Sequence, residues 1–289
     1  MKPLEIVSAL PQWKNLSPDE IVASPAFAAA CRLGEETRTL RRADIAPAVS
    51  QMLSLSVTFG DEPHTLSIAR SPRFPELDKL WDSLPEVPDA IVLSLVEREC
   101  GQLLQMLENA IRRQLKIVGL APSAPDPSAM IAFQADDLTF AVTRSATITG
   151  ALGVLRNLDL ASDAVRSAPL PAQAEYAAFA LSDAELASLA PGDALLLPEI
   201  GTIAPRVVVD GRFAAVSGGV EAFAEDGRVR VFPAEPATVT LGELLDGALS
   251  ASGPAENAQL KLVRQGKLVA EGRLGRVGDQ FAFVVETKE

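Results

Sequence analysis

The stretch that decides the fold is "QLKLVRQGKLVAEGRLGRVGDQFAFVVE", residues 259–286. Apolar and polar residues alternate along it, which is the period of a β-strand with one buried face. Gln265-Gly266 and Gly278-Asp279 interrupt the alternation, and two-residue pairs that contain glycine are typical of tight hairpin turns. The stretch therefore predicts three consecutive antiparallel strands.

An earlier stretch repeats this pattern. "PRVVVDGRFAAVSG" (205–218) aligns with "LKLVRQGKLVAEG" (260–272) at a period near 55 residues, which places Gly211 on Gly266. At the same offset the apolar residues of two short helical turns coincide, each with a following glycine: Leu186, Leu189 and Gly192, then Leu241, Leu244 and Gly247. With a small shift, "EDGRVRVF" (225–232) matches "VGDQFAFV" (277–284). Each copy is predicted to hold a helical turn, a hairpin and a final strand.

Such a copy is too small to be stable alone. A unit of about 50 residues buries little apolar surface, and its strands present open edges. We therefore expect the two copies to pair, within one chain or between chains. The candidate pairing residues are the apolar residues of the hairpins and final strand: Val207, Phe213, Leu262, Leu268, Ala270, Leu274, Phe281 and Phe283. A charge at Leu268 or Phe283 is predicted to break the pairing, because both are placed on one apolar face.

The residues before the repeat predict helices and strands in mixture. Alternation indicates hairpins over 53–70 and 130–144, and a helical period covers 87–118 with a break expected at Gly101. "SPAFAAACRL" (24–33) predicts a short helix.

Proline-rich stretches mark the predicted divisions of the chain, because proline fixes φ and removes a hydrogen-bond donor. The expected class is α+β, with a mixed α and β N-terminal domain followed by two small, mainly β modules. The expected boundaries are 1–168, 169–235 and 236–289.

Composition excludes several classes of function. A net charge of −12 argues against a nucleic-acid-binding protein, which needs a clustered positive surface. The chain has neither an 18-residue apolar run nor the apolar core of a signal peptide, so we expect a cytoplasmic protein without membrane insertion. Cys31 and Cys100 are expected to be buried free thiols, since they are few and far apart.

No set of residues predicts a catalytic or metal site. His64 is the single histidine, and its setting in "GDEPHT" predicts an exposed hairpin turn. The glycine-rich "GRLGRVGD" (272–279) lacks the lysine of a phosphate-binding loop, and strand turns explain it better. We therefore expect no enzyme activity, no metal and no cofactor.

The repeat resembles the SpoA (surface presentation of antigens) domain. "LSDAELASLAPGDALLLPE" (181–199), the Asp-Gly hairpin and the terminal stretch carry the resemblance. The matching residues are Leu189, Pro191, Gly192, Asp193, Leu195 and Leu197 in the first copy, and Gly266, Ala270, Gly272 and Leu274 in the second. The second copy lacks the Pro-Gly-Asp, and the first has Ser217 where a glycine is usual.

Two tandem SpoA units behind an α+β domain resemble the SctQ (YscQ/HrcQ/SpaO) family. Members of that family form the cytosolic sorting platform, or C-ring, of type III secretion injectisomes. The resemblance is carried by residues 175–289, and the rest of the chain matches only in length and architecture.

The resemblance implies a non-enzymatic protein-transport scaffold, peripheral at the cytosolic face of the secretion apparatus. It implies self-association through intertwined SpoA strands and three kinds of partner: an inner-membrane-ring accessory protein, the stator-like regulator of the ATPase, and chaperone–substrate complexes. No binding of nucleic acid is implied.

Two alternatives stay open. A flagellar motor switch component would have the same fold in a different machine. Two SpoA units, without a long N-terminal receptor-binding extension, favour the injectisome. An unrelated enzyme would show a deep polar pocket with converging ionisable groups.

Overall fold

The computed structural model describes residues 1–33, 36–43, 51–123, 125–197, 205–216, 219–249 and 251–289. The chain divides into two compact units. The first unit is Pro11–Ser162, and the second unit joins Met1–Leu10 to Asp163–Glu289. Helices and antiparallel sheets occur in both units, so the α+β class is confirmed.

The described helices are short, apart from two in the first unit. They are α1 (Pro3–Ala9), α2 (Pro11–Lys14), α3 (Pro18–Ala23), α4 (Pro75–Leu80), α5 (Asp89–Glu99), α6 (Gly101–Ile111), α7 (Ala146–Leu152), α8 (Asp163–Arg166), α9 (Asp183–Ser188) and α10 (Leu241–Asp246). The break expected at Gly101 is confirmed, because Cys100 ends α5 and α6 begins at Gly101. The helical period was predicted to continue to residue 118, and this is wrong. α6 ends at Ile111, its C-cap Arg112 has φ 58°, and a strand follows.

The first unit is built on a seven-stranded antiparallel sheet. Its strands are β1 (Ala28–Leu33), β2 (Glu36–Arg42), β3 (Leu53–Phe59), β4 (Glu62–Ile68), β5 (Leu115–Leu120), β6 (Met130–Ala135) and β7 (Leu138–Thr143). They lie in the order β1-β2-β6-β7-β4-β3-β5. Both predicted hairpins are confirmed as β3–β4 and β6–β7, the second with Asp136-Asp137 in its turn.

The helix predicted over residues 24–33 is wrong. Residues 28–33 form β1, which pairs with β2. Phe27, Ala29 and Cys31 are buried while Ala30 between them is exposed, so burial follows the strand period. Alanine favours helices, but pairing with a neighbouring strand overrides that weak preference.

The prediction for His64 is also wrong. The turn between β3 and β4 consists of Gly60 and Asp61 alone, and His64 lies inside β4 opposite Val57, with 6% of its surface exposed. Pro63 favoured the prediction of a turn, because proline is rare inside sheets. It is tolerated here because β7 pairs with β4 only from Leu66 onward.

The second unit contains two antiparallel sheets. Its strands are β8 (Pro169–Glu175), β9 (Ala177–Phe179), β10 (Ala194–Leu196), β11 (Arg206–Val209), β12 (Phe213–Val216), β13 (Gly219–Ala222), β14 (Val229–Pro233), β15 (Ala237–Thr240), β16 (Gln259–Arg264), β17 (Lys267–Val277) and β18 (Gln280–Lys288). The five-stranded sheet has the order β13-β12-β11-β8-β15, and the six-stranded sheet has the order β10-β18-β17-β16-β14-β9.

The internal repeat is visible in the pairing of its two hairpins. Val207 pairs with Ala215 in β11–β12, and the aligned residues Leu262 and Ala270 pair in β16–β17. Both central residues of each turn have positive φ: Asp210 53° and Gly211 61°, Gln265 51° and Gly266 71°. Positive φ at both positions is the property of a type I′ turn, and tight hairpin turns were predicted at both places.

The helical turns repeat with a different spacing. Each starts with a capping box, Ser182 with Glu185 in α9 and Thr240 with Glu243 in α10. The helices coincide when Ser182 is placed on Thr240, three residues beyond the offset that superposes the hairpins. The loop between helix and hairpin therefore differs in length between the copies.

β14 was predicted to be the final strand of the first copy, and this is wrong. β14 was aligned with β18, but β14 pairs with β16 and β9, whereas β18 pairs with β17. The strand that corresponds to β18 is β13, which pairs with β12. Asp226-Gly227 therefore does not close a hairpin, because β13 and β14 lie in different sheets.

We accordingly define the first repeat as residues 169–222 and the second repeat as residues 229–288. β8 leads the first repeat and β14 leads the second. The module boundaries 169–235 and 236–289 stay predictions, and strands from both ranges occur in each sheet.

Candidate functional site: the interlocked sheets

The two repeats exchange strands reciprocally. The chain runs from β8 in the five-stranded sheet into β9, which pairs with β14 in the six-stranded sheet. It also runs from β14 in the six-stranded sheet into β15, which pairs with β8 in the five-stranded sheet. At the first crossing the Tyr176 amide donates to the Val231 carbonyl at 2.9 Å. Each sheet is therefore completed by a strand that comes from the other repeat.

β10 is a second strand of the first repeat that lies in the six-stranded sheet. It lies before the first hairpin in the chain, yet Leu195 pairs with Phe283 in β18 at the edge of the six-stranded sheet. The six-stranded sheet thus takes β9 and β10 from the first repeat and β14, β16, β17 and β18 from the second.

The predicted pairing residues fall into three groups. Leu262, Ala270, Leu274 and Phe283 are fully buried in one apolar cluster, together with three residues of the first repeat: Ala177, Leu189 and Leu197. This cluster is the inter-repeat core. The structure thus brings four of the eight predicted residues together, in contact with the other repeat of the same chain.

The remaining four lie elsewhere. Val207 and Phe213 are buried in the five-stranded sheet, apart from the inter-repeat core. Phe281 is half-buried at the margin of that core, with the Arg276 guanidinium 4.6 Å from its ring centroid. Leu268 was predicted on the same face as Phe283, and this is wrong.

A β-bulge explains the position of Leu268. Leu262 pairs with Ala270 but the next residue, Val263, pairs with Leu268, so Val269 is an extra residue in β17. A bulge reverses the face on which the residues beyond it point. Val269, not Leu268, packs against the inter-repeat core.

A buried ion pair lies at the first crossing. Glu175 is the last residue of β8 and Arg230 is the second residue of β14, and their surfaces are 6% and 7% exposed. The Arg230 guanidinium donates to the Glu175 carboxylate. Buried charges of this kind are retained in proteins only when they are paired and hydrogen-bonded.

Arg230 binds two other segments of the chain at once, the end of β8 and the loop before β14. Besides Glu175, its Nη2 donates to the Ala224 carbonyl at 3.0 Å and to Asp226 Oδ1 at 2.9 Å. Its guanidinium carbon lies 4.4 Å from the centroid of the Phe223 ring, a cation–π contact. Arg230 therefore fastens the loop between the repeats to the crossing strands.

The carboxylate of Glu175 has a second cationic neighbour. Arg206 in β11 lies with Nη1 3.7 Å from Glu175 Oε1, and its Nη2 donates to Glu221 at 2.8 Å. Glu175 thus links a residue of its own sheet to a residue of the other sheet.

A groove opens beside the two type I′ turns, where the sheets approach each other. Its volume is about 360 Å³. We call it the turn groove; its lining includes Pro171, Val208, Phe223, Phe232 and Val263, with Asp210 and Glu225 among its polar residues. The Glu225 carboxylate lies over the turn at Gly266, 3.3 Å from the position of a Cβ there.

The remaining reactive side chains are buried in the first unit. His64 Nε2 is 3.6 Å from Glu62 Oε1, and its ring meets Phe59 edge-on at 5.3 Å. Burial lowers the pKa of His64, while the Glu62 carboxylate opposes this. Burial raises the pKa of Cys31 to about 11 and that of Cys100 to about 12.

The described ranges hold neither a candidate metal site nor a helix that could span a membrane. Among those residues no three or more His, Cys, Asp or Glu side chains form a group that could hold a metal ion. In the same part of the chain no helix combines the length and the apolarity needed to cross a membrane. The glycines of 272–279 lie in β17 and its turn to β18, so the prediction of strand turns is confirmed.

Comparison with known proteins adds no relative. No protein-family model matches this chain, and no curated protein matches it. The SpoA resemblance therefore rests on the residues of the repeat themselves.

Sequence reasoning missed Glu175 and Arg230. A signal was present, since Arg230 interrupts the apolar strand "VRVF" and Glu175 stands in "AQAEYA". A charge inside a buried strand indicates a buried partner. The identity of that partner depends on the crossing of the strands, which no local pattern contains.

Proposed function

We propose that this chain is a non-enzymatic scaffold of a type III secretion sorting platform, of the SctQ kind. The observation that supports it is the reciprocal strand exchange between two SpoA-like repeats in one compact unit. The SpoA resemblance implies intertwined pairing of this sort, and a first-with-second pair is one of its two forms.

The interlocked unit is suited to a scaffold because strands of each repeat complete the sheet of the other. The inter-repeat core excludes water from both repeats, and burying one large apolar side chain is worth about 1.5–3 kcal/mol. A platform component must keep its shape while partners bind and leave, and such a shared core provides that.

The turn groove is our candidate docking site for the ATPase regulator. Its apolar lining fits one or two apolar side chains of a peptide, and the Glu225 carboxylate at its rim favours a neighbouring lysine or arginine. The partner segment we propose therefore carries an apolar residue beside a basic one.

The direct test is capture of the ATPase regulator encoded in the same operon by the full-length chain. The variant Glu225→Lys reverses the charge at the groove, and Glu271→Lys makes the same change at an exposed position on β17. We expect the wild type and Glu271→Lys to capture the regulator and Glu225→Lys to lose capture.

Two other outcomes are informative. Capture by all three proteins would place the docking site elsewhere on the scaffold. Failure of the wild type to bind the regulator, with the fold intact by circular dichroism, would contradict the secretion function and favour the flagellar alternative or an enzyme.

A further inference from the structure

The two repeats are not equivalent at the crossing. When the hairpins are superposed, Arg206 falls on Lys261 and Val208 on Val263. Opposite Arg206 the leading strand β8 supplies Glu175, but opposite Lys261 the leading strand β14 supplies Phe232. The acidic member of the buried pair therefore exists only in the first repeat.

The basic member exists only in the second repeat. Arg230 lies opposite Val263, and the corresponding residue opposite Val208 is Gln173. A first repeat and a second repeat thus carry complementary halves of one buried ion pair. Two copies of the same repeat do not.

We propose that Glu175 and Arg230 decide which repeats pair. They favour pairing of a first repeat with a second repeat over pairing of two identical repeats. Pairing of two second repeats puts Phe232 where Glu175 lies, so Arg230 loses its buried carboxylate and keeps only the Ala224 carbonyl and the partly exposed Asp226. Removing the buried partner of a buried charge is destabilising, whereas the intact pair is close to neutral. The pair therefore acts mainly by excluding the wrong pairing.

Pairing of two first repeats is disfavoured for the complementary reason. Glu175 would face Gln173 in place of Arg230 and would keep only Arg206, whose Nη1 is 3.7 Å away. Neither argument uses the secretion function, so this inference stands or falls independently of it.

A charge exchange between two full-length chains tests the proposal. One tagged chain carries Glu175→Arg and a second, with a different tag, carries Arg230→Glu. Each variant has like charges at its own crossing. In a strand-exchanged dimer of the two, both crossings again hold one acidic and one basic residue.

The two chains are unfolded, mixed, refolded and captured by one tag. We expect co-capture of the other chain to exceed that of tagged wild-type chains by about tenfold or more, since loss of a buried partner shifts the equilibrium by at least that factor. Each variant refolded alone should show no such increase. Co-capture at the wild-type level would overturn the proposal.

The matched control is an exposed pair that also joins the repeats. Arg264 Nη1 in β16 donates to Asp183 Oδ1 in α9 at 2.6 Å, and the Asp183 side chain is 92% exposed. The same exchange with Asp183→Arg and Arg264→Asp should leave co-capture at the wild-type level. An equal increase at this pair would mean that any charge across the repeats selects partners, which contradicts the role given to burial.

A milder variant tests the proposal if the charge-reversed chains do not fold. Glu175→Gln keeps the shape of the side chain and removes its charge, so the correct pairing loses its advantage over the wrong one. We expect exchange between tagged Glu175→Gln chains to rise about tenfold over the wild type. Unchanged exchange in this folded variant would refute the proposal by itself.

Discussion

Replacing Phe283 with alanine is the sharpest test of the inter-repeat core. Phe283 is fully buried, and its neighbours across the sheet are Leu274 in β17 and Leu195 in β10. Truncation of a phenylalanine in such a site costs about 3–5 kcal/mol, because the transfer energy is lost and a cavity remains. With a urea m-value of about 2 kcal/mol per molar, the midpoint should fall by roughly 2 M.

Phe281→Ala is the matched control, since it makes the same chemical change two residues away. Its ring is half-buried at the margin of the inter-repeat core and contacts the Arg276 guanidinium, and the latter contact is worth about 0.5–1 kcal/mol at an exposed site. Partial burial adds about 1 kcal/mol, so the expected midpoint shift is at most about 1 M. Both transitions are followed by circular dichroism, and hydrogen exchange locates the loss of protection. Equal shifts for the two variants would refute the assignment of Phe283 to the core.

Three further predictions concern single positions. Gly272→Ala should destabilise the second unit by about 1–3 kcal/mol in urea unfolding, because a Cβ there would collide with the Val284 carbonyl oxygen. A variant as stable as the wild type would show that β17 and β18 can separate at this point. Native protein should resist thiol alkylation at pH 8, since burial raises the pKa of Cys31 to about 11 and of Cys100 to about 12, and both should react in urea. Because burial lowers the pKa of His64, the first unit should lose stability as the pH falls from about 6.5 toward 5, and His64→Leu should flatten this dependence in thermal melts.

The hairpins of this protein could be predicted from local sequence. The turns at Gly211 and Gly266 combine a strong turn signal with alternating strands on both sides, and the structure has both hairpins, with Val207–Ala215 and Leu262–Ala270 as the matching pairs. Local patterns suffice here because each hairpin is closed by residues that are neighbours in the chain.

The errors arose where a distant contact decides the conformation. Residues 28–33 are strand because β2 pairs with them, and His64 is buried because its hairpin turns at Gly60 rather than at the proline. The face of Leu268 depends on one extra residue at Val269, and a single bulge of this kind leaves no clear trace in an alternating sequence.

The crossing of β8 and β14 also determines when this unit can form during synthesis. β9 and β10 leave the ribosome early, but their partners β14 and β18 begin only at Val229 and Gln280. Until residue 280 has emerged, β10 has no strand to pair with in its sheet, and the apolar residues around it stay exposed to water. Closing such long loops before contacts are gained makes folding slow and invites aggregation of the nascent chain. The strand exchange that stabilises this unit therefore makes its folding dependent on synthesis of the second repeat, or on a chaperone that protects the first repeat until the second repeat is made.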